Sequence, residues 1–347
     1  MDRHRFDAFC SAHRLNTAAT DAALTLTGAR PDRAAWRAFA TTLLRGAGVG
    51  ALGAGAIFFV AANWRSLGVL GRFALLQAAL VGCIGVALWR PRPHRLGASA
   101  LIGATLATGA LFALFGQSYQ TGADVHELFF AWAALALPFA LAGGSGALWA
   151  LWWGVLNVGL ALLCGWLGTG HIVWQLLDSR GIERAQLVLL PCVVNLFGAA
   201  VFAALRRTRY AAAAPTWLVQ LLTTFGMVFG ATAATLAVAG GVWRHSSNPL
   251  PPHDVQVVLV FAAISIVLGG ATWLRKRDVY PMALLAAAWI AVSTTWLARA
   301  LHFNDVGAFF MLACWLIATS TACGWCLIRW SRVWRAPASP TPEGALA

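Results

Sequence analysis

Residues 217–242 read WLVQLLTTFGMVFGATAATLAVAGGV and run from Trp217 to Val242 without one charged side chain. About 20 apolar residues in a helix cross a hydrocarbon core, so this stretch is long enough to span it. It holds a single strongly polar side chain, Gln220, and Gly226 and Gly230 stand four residues apart. A soluble helix would show a polar face to water. This one has none to show, and the reading that follows is a membrane span.

Working outward, similar runs lie at 46–62, 73–89, 96–115, 128–142, 147–167, 185–205, 255–274, 280–298 and 306–328. The chain is thus expected to be an all-α, polytopic helical membrane protein with about ten transmembrane helices. Composition agrees: 11% of the 347 residues are charged, against about 25% in ordinary soluble domains. The segment 128–142 is short and carries Pro138, which allows either a full crossing or a re-entrant hairpin. Four regions are expected. Residues 1–45 form a cytoplasmic helical element, 46–167 a first membrane half, 185–328 a second, and 329–347 a disordered tail.

The net charge of +13 does not indicate nucleic acid, because the arginines form no stripe along one element. They cluster between apolar runs and set orientation. With ten spans and a cytoplasmic N-terminus, the seven arginines before residue 46, Arg90–Arg95, Arg206–Arg209, Arg275–Arg277 and Arg329–Arg335 all fall inside. Arg65, Arg72, Arg180, Arg184, Arg244 and Arg299 are left outside. Removing one crossing near 128–142 would reverse every later cluster. The even count is therefore expected, with both termini cytoplasmic in a bacterial inner membrane. The first apolar run begins near Leu43, too late for a cleavable signal.

Before that run, Phe6, Phe9 and Cys10 fall at helical spacing, and Asn16 or Thr17 can cap a second short helix ending near Gly28. Pro31 suits the first turn of a third helix, whose Trp36, Phe39, Ala40 and Leu43 share a face. That third helix reads equally well as an extension of the first span.

No Asp, Glu, Lys or Arg falls inside the ten apolar runs. A charge there would mark an ion or substrate path. The intramembrane polar candidates are neutral: Gln77, Asn157, Asn195 and Gln220. Their ordinary use is hydrogen bonding between helices; the alternative is a lining for a neutral solute path. Small residues at four-residue spacing (Gly46 and Gly50; Ser99, Gly103 and Ala107; Gly226 and Gly230) permit close helix packing.

The connection 116–127, Gly-Gln-Ser-Tyr-Gln-Thr-Gly-Ala-Asp-Val-His-Glu, is expected to be the most polar outer loop. Asp124, His126 and Glu127 are of metal-ligating type. However, Asp124 and Glu127 have capping-box spacing, and that is the favoured reading. Gln117 and Tyr119 stand at an outer helix end, and Asn63-Trp64 ends the first span on the same side. Were the first and third spans to pack together, Asn63, Gln117 and Tyr119 would face one outer vestibule. A second outer loop carries His171, Asp178 and Glu183 beside Arg180 and Arg184, a mixed-charge solvated pattern.

Cys323-Gly-Trp-Cys326 has redox spacing but is expected near a helix C-terminus, where the dipole opposes a thiolate. The seven cysteines form no disulfide framework. No catalytic residue, cofactor motif or metal set is assigned.

From Leu43 to Pro138 the chain resembles the bacterial predicted-membrane-protein family catalogued as domain of unknown function 2157. The resemblance rests on Phe58-Phe59-Val60-Ala61-Ala62-Asn63-Trp64 after a Gly-rich span. Arg72-Phe73-Ala74-Leu75-Leu76, Gly116-Gln117-Ser118-Tyr119-Gln120, Trp132 and Leu137-Pro138 continue it. It extends over roughly residues 1–170 and implies a multi-pass protein with no transferable activity. Members are often encoded beside another membrane protein, which implies such a partner in addition to the lipid bilayer. The leading expectation is a non-enzymatic component interacting with envelope proteins or lipids. A transporter or channel for a neutral or lipidic solute comes second, and a membrane-embedded enzyme third.

Overall fold

A computed structural model describes residues 12–13, 16–26, 32–64, 66–90, 95–119, 122, 124–164, 185–208, 213–243, 252–276, 278–301 and 306–335. Eleven α-helices lie among them: α1 Thr17–Leu26, α2 Arg33–Ala62, α3 Val69–Trp89, α4 Arg95–Tyr119, α5 Val125–Gly143, α6 Gly146–Leu163, α7 Ala185–Leu205, α8 Thr216–Trp243, α9 Pro252–Ala271, α10 Val279–Ala300 and α11 Val306–Arg335. No strand occurs among the described residues. In lipid a backbone amide has no water to bond, so each crossing must satisfy itself as a helix. Among the described residues nine helices, α3 to α11, are long and apolar enough to cross a membrane. The chain is a polytopic helical membrane protein.

The chain divides into two compact units, Met1–Arg72 and Phe73–Ala347. In the first, Asn16 caps α1, its Oδ1 accepting from the Ala19 amide at 2.8 Å. Asp32 caps α2 in the same way, accepting from Ala35 at 2.6 Å. The cap is thus one residue beyond Pro31, and α2 then runs unbroken for 30 residues, about 45 Å. The stretch around Trp36 is an extension of the expected first span and no separate helix. Phe6, Phe9 and Cys10 lie outside the described residues. The turn after α2 is closed by the backbone carbonyl of Asn63, which accepts from the Ser66 amide and hydroxyl. Arg72 Nε then donates to the Trp64 and Leu67 carbonyls, both at 3.0 Å, with its guanidinium 4.9 Å from the Trp64 ring centre.

In the second unit α8 is central, packing against α7, α9 and α10, with α5 on α4 and α6, and α10 on α11. Ala233, Ala234 and Ala237 of α8 are fully buried. They let Cys192 and Val257 close on one side and Phe261, Leu285 and Ala288 on another. Large rings fit where glycine leaves room. A Cβ on Gly109 would strike the Trp132 ring, one on Gly198 the Trp153 ring, and one on Gly230 would come within 2.7 Å of Phe261. The Gly226/Gly230 pair is therefore used inside this chain, against Leu196, Cys192 and Phe261. Dispersion contacts replace the hydrophobic drive that lipid removes.

Several boundaries depart from expectation. α5 is one continuous helix of 19 residues despite Pro138, so the hairpin alternative is not adopted. A two-residue turn follows it. Gly144 takes the left-handed conformation (φ 48°), and the Ser145 hydroxyl accepts from Leu148 to cap α6. α4 continues to Tyr119 and α5 begins at Val125. The expected outer loop 116–127 accordingly shrinks, with both of its ends wound into helices. α9 ends in a π-helical turn, Thr272–Lys276. α11 extends to Arg335, so the tail boundary expected at 329 falls inside a helix; residues 336–347 lie outside the described residues.

Candidate functional site

The buried polar chemistry of the second unit centres on α6 and α7. Asn157 is 7% exposed and Asn195 fully buried. Asn157 Nδ2 donates to Asn195 Oδ1 at 3.0 Å, and Asn195 Nδ2 donates back to Asn157 Oδ1 at 2.6 Å. Their remaining N–H groups go to carbonyls one turn earlier, Trp153 and Pro191 respectively, both at 2.8 Å. All four amide N–H groups are engaged. The pair is a two-stranded clamp between helices, the use expected of intramembrane amides.

Pro191 explains a neighbouring contact. It has no N–H, so the Leu187 carbonyl four residues earlier loses its helical partner. The Cys164 thiol, from α6, donates to that carbonyl at 3.4 Å. The signal for this contact in the sequence is the proline four residues after Leu187.

Indole groups make the corresponding contacts on the other side. Trp132 Nε1 donates to the Thr105 carbonyl at 2.8 Å, its ring lying in the space left by Gly109. Trp152 Nε1 donates to the Ala133 carbonyl at 2.7 Å, one residue from the carbonyl that Pro138 orphans. Trp153 sits against Gly198, and its buried Nε1 has no hydrogen-bond partner among the described residues. Each indole supplies a large apolar face and one donor.

The other two amides behave differently. Gln220 is half-buried on α8, and its backbone carbonyl accepts from Thr224, whose hydroxyl also meets the Tyr280 hydroxyl of α10 at 2.5 Å. Gln77 is exposed on α3, a helix in which no residue is buried.

Among the outer-face candidates, Asn63 belongs to the first unit and the rest to the second. Gln117 and Tyr119 are exposed in the last turn of α4, where the Tyr119 ring packs 4.9 Å from Phe115 and 6.2 Å from Phe73. Asp124 holds the N-cap position of α5 with extended backbone, but its side chain makes no capping bond. The Glu127 amide bonds the Asp124 backbone carbonyl instead, at 3.0 Å. The capping box is therefore not formed, although the spacing is right. His126 lies edge-on to Phe130 at 6.1 Å. Among the described residues no group of three or more His, Cys, Asp or Glu could hold a metal. His171, Asp178, Arg180, Glu183 and Arg184 lie outside the described residues.

Cys323 and Cys326 are half-buried in the middle of α11, with no disulfide. The C-terminal dipole argument does not reach them, since its effect fades within the last turn. The charge-free interior also needs correction at its margins. Asp254 is fully buried in the first turn of α9, and a buried guanidinium nitrogen of Arg299 lies in the last turn of α10. Both stand one residue outside the expected spans, so the apolar runs alone did not reveal them.

No curated protein and no solved structure matches this chain. Residues 7–149 match the model of the family described as Predicted membrane protein (DUF2157), a stretch that begins before α1 and ends in the first turn of α6.

Proposed function

We propose that the protein is a non-enzymatic component of the bacterial inner membrane that associates with other envelope proteins or lipids, with both termini in the cytoplasm. The observation that carries this reading is the state of the buried amides. Asn157 and Asn195 direct their N–H groups to each other and to backbone carbonyls, leaving neither donor free to handle a passing solute. No residue of α3 is fully buried, which leaves its exposed face, Gln77 included, open to lipid or to a partner. The distribution of arginines supports the cytoplasmic placement of both ends.

The test is purification of the tagged full-length chain in mild detergent, with identification of what comes with it. A specific membrane protein or lipid retained at constant stoichiometry is the expected result. Failure to retain either, together with solute flux in reconstituted liposomes that Asn157→Leu abolishes, would replace this reading with a transporter.

A further inference from the structure

Of the four amides Gln77, Asn157, Asn195 and Gln220, Gln77 is the one exposed on its helix. It stands near the midpoint of α3, about 3 Å from it at 1.5 Å per residue. Its carboxamide meets no partner among the described residues. In a bilayer that exposure is to hydrocarbon, which offers neither a donor nor an acceptor. Asn157 and Asn195 lie as far from water, and both are fully hydrogen-bonded.

α3 meets α4 through Cys83, whose sulfur occupies the space beside Gly103, and through Phe73, whose ring centre lies 6.2 Å from that of Tyr119. The strip of α3 next to these contacts is open. Ala74, Gln77, Val81 and Leu88 are exposed, and with the half-buried Ile84 they advance in steps of three and four. That is the spacing of a seam between two helices, in which a single polar residue fixes register and copy number. Ala78 and Gly85 flank the seam, and Gly85 has nothing within 4 Å of where a Cβ would stand. Side chains this small let a second backbone come close.

We infer that this seam joins two copies of the chain, with Gln77 of each hydrogen-bonded to Gln77 of the other. Copies inserted in one orientation are related by a two-fold axis along the bilayer normal. Their α3 helices then run parallel, and equal residues meet at equal depth. A carboxamide carries both a donor and an acceptor, so it complements itself. Asn157 and Asn195 show that reciprocal geometry within one chain, at 3.0 and 2.6 Å. The preceding span, 46–62, has no polar side chain to offer Gln77 instead. A lipid tail has none either. The self-pairing goes beyond association with other envelope proteins or lipids, and neither depends on the other.

The experiment is sedimentation equilibrium of the full-length protein in density-matched detergent micelles. A reversible monomer–dimer equilibrium is expected. Gln77→Leu should weaken dimerisation about tenfold, the loss of two hydrogen bonds between helices. Gln77→Asn, which keeps a carboxamide at the same height, should recover part of that loss. Gln117→Leu, which removes an exposed carboxamide in the last turn of α4, should change nothing. In membranes, with Cys314 replaced by alanine, oxidation should link Val81→Cys between copies. It should not link Leu75→Cys, which is exposed outside the seam. A monomer at every concentration, or a dimer that Gln77→Leu leaves intact, would overturn the pairing. So would a link from Val81→Cys to a different protein, or to a cysteine placed in 46–62 of the same chain, because either gives the seam another occupant.

Discussion

α8 and α3 are both long, apolar and rich in small residues, yet 61% of the α8 span is buried inside the protein and none of the α3 span is. Apolarity alone does not separate them, because lipid is as good a solvent for leucine as a protein interior. Complementary partners do. The small residues of α8 face rings and thiols on α7 and α9, with Gly226 against Leu196 and Gly230 against Phe261 and Cys192. On α3, Gly82 and Gly85 have nothing within 4 Å of where a Cβ would stand. A small residue in a membrane helix is an opportunity for close approach, and a bulky neighbour at the matching height turns it into a contact.

The same substitution in the two helices should give the largest contrast. Gly230→Val should destabilise the protein by about 2–3 kcal/mol, since Phe261 and Cys192 must move. Gly82→Val should stay within about 0.5 kcal/mol. Unfolding from bicelles by a steric-trap method measures both, and similar losses at the two sites would erase the distinction.

Polar residues should show the next contrast. Asn195→Leu leaves Asn157 half satisfied in the interior and should cost about 1.5 kcal/mol, with N157L/N195L costing less than the sum of the single changes. Gln77→Leu should be neutral in the isolated protein. A clear loss there would mean that α3 is covered by a second copy or another chain.

A smaller effect sharpens the picture around α7. Cys164→Ala should cost about 0.5 kcal/mol by exposing the Leu187 carbonyl. That cost should vanish in a Pro191→Ala background, where residue 191 regains an N–H for the same carbonyl; a double-mutant cycle without coupling would refute the pairing.

Much of this was legible from residues alone, and unevenly so. The span 185–205 coincides with α7, and 73–89, 147–167 and 217–242 differ from their helices only at the ends. Charge-free length reports directly on the solvent a helix can occupy. Boundaries failed where polar residues remain helical, at Gly116–Tyr119 and again at Arg329–Arg335. Helix hydrogen bonding does not stop where hydropathy does. Asn157 and Asn195 were visible as candidates, but their mutual pairing was not, because nothing in the chain indicates which faces of α6 and α7 meet.

Sequence by itself therefore determined that this chain lives in lipid, where its helices run and which loops carry its positive charge, since those follow from local composition summed over about 20 residues. Tertiary structure alone decided which glycines receive rings and which amides are spent on each other. Those outcomes depend on the rotation and height of one helix against another, quantities fixed by packing between residues far apart in the chain.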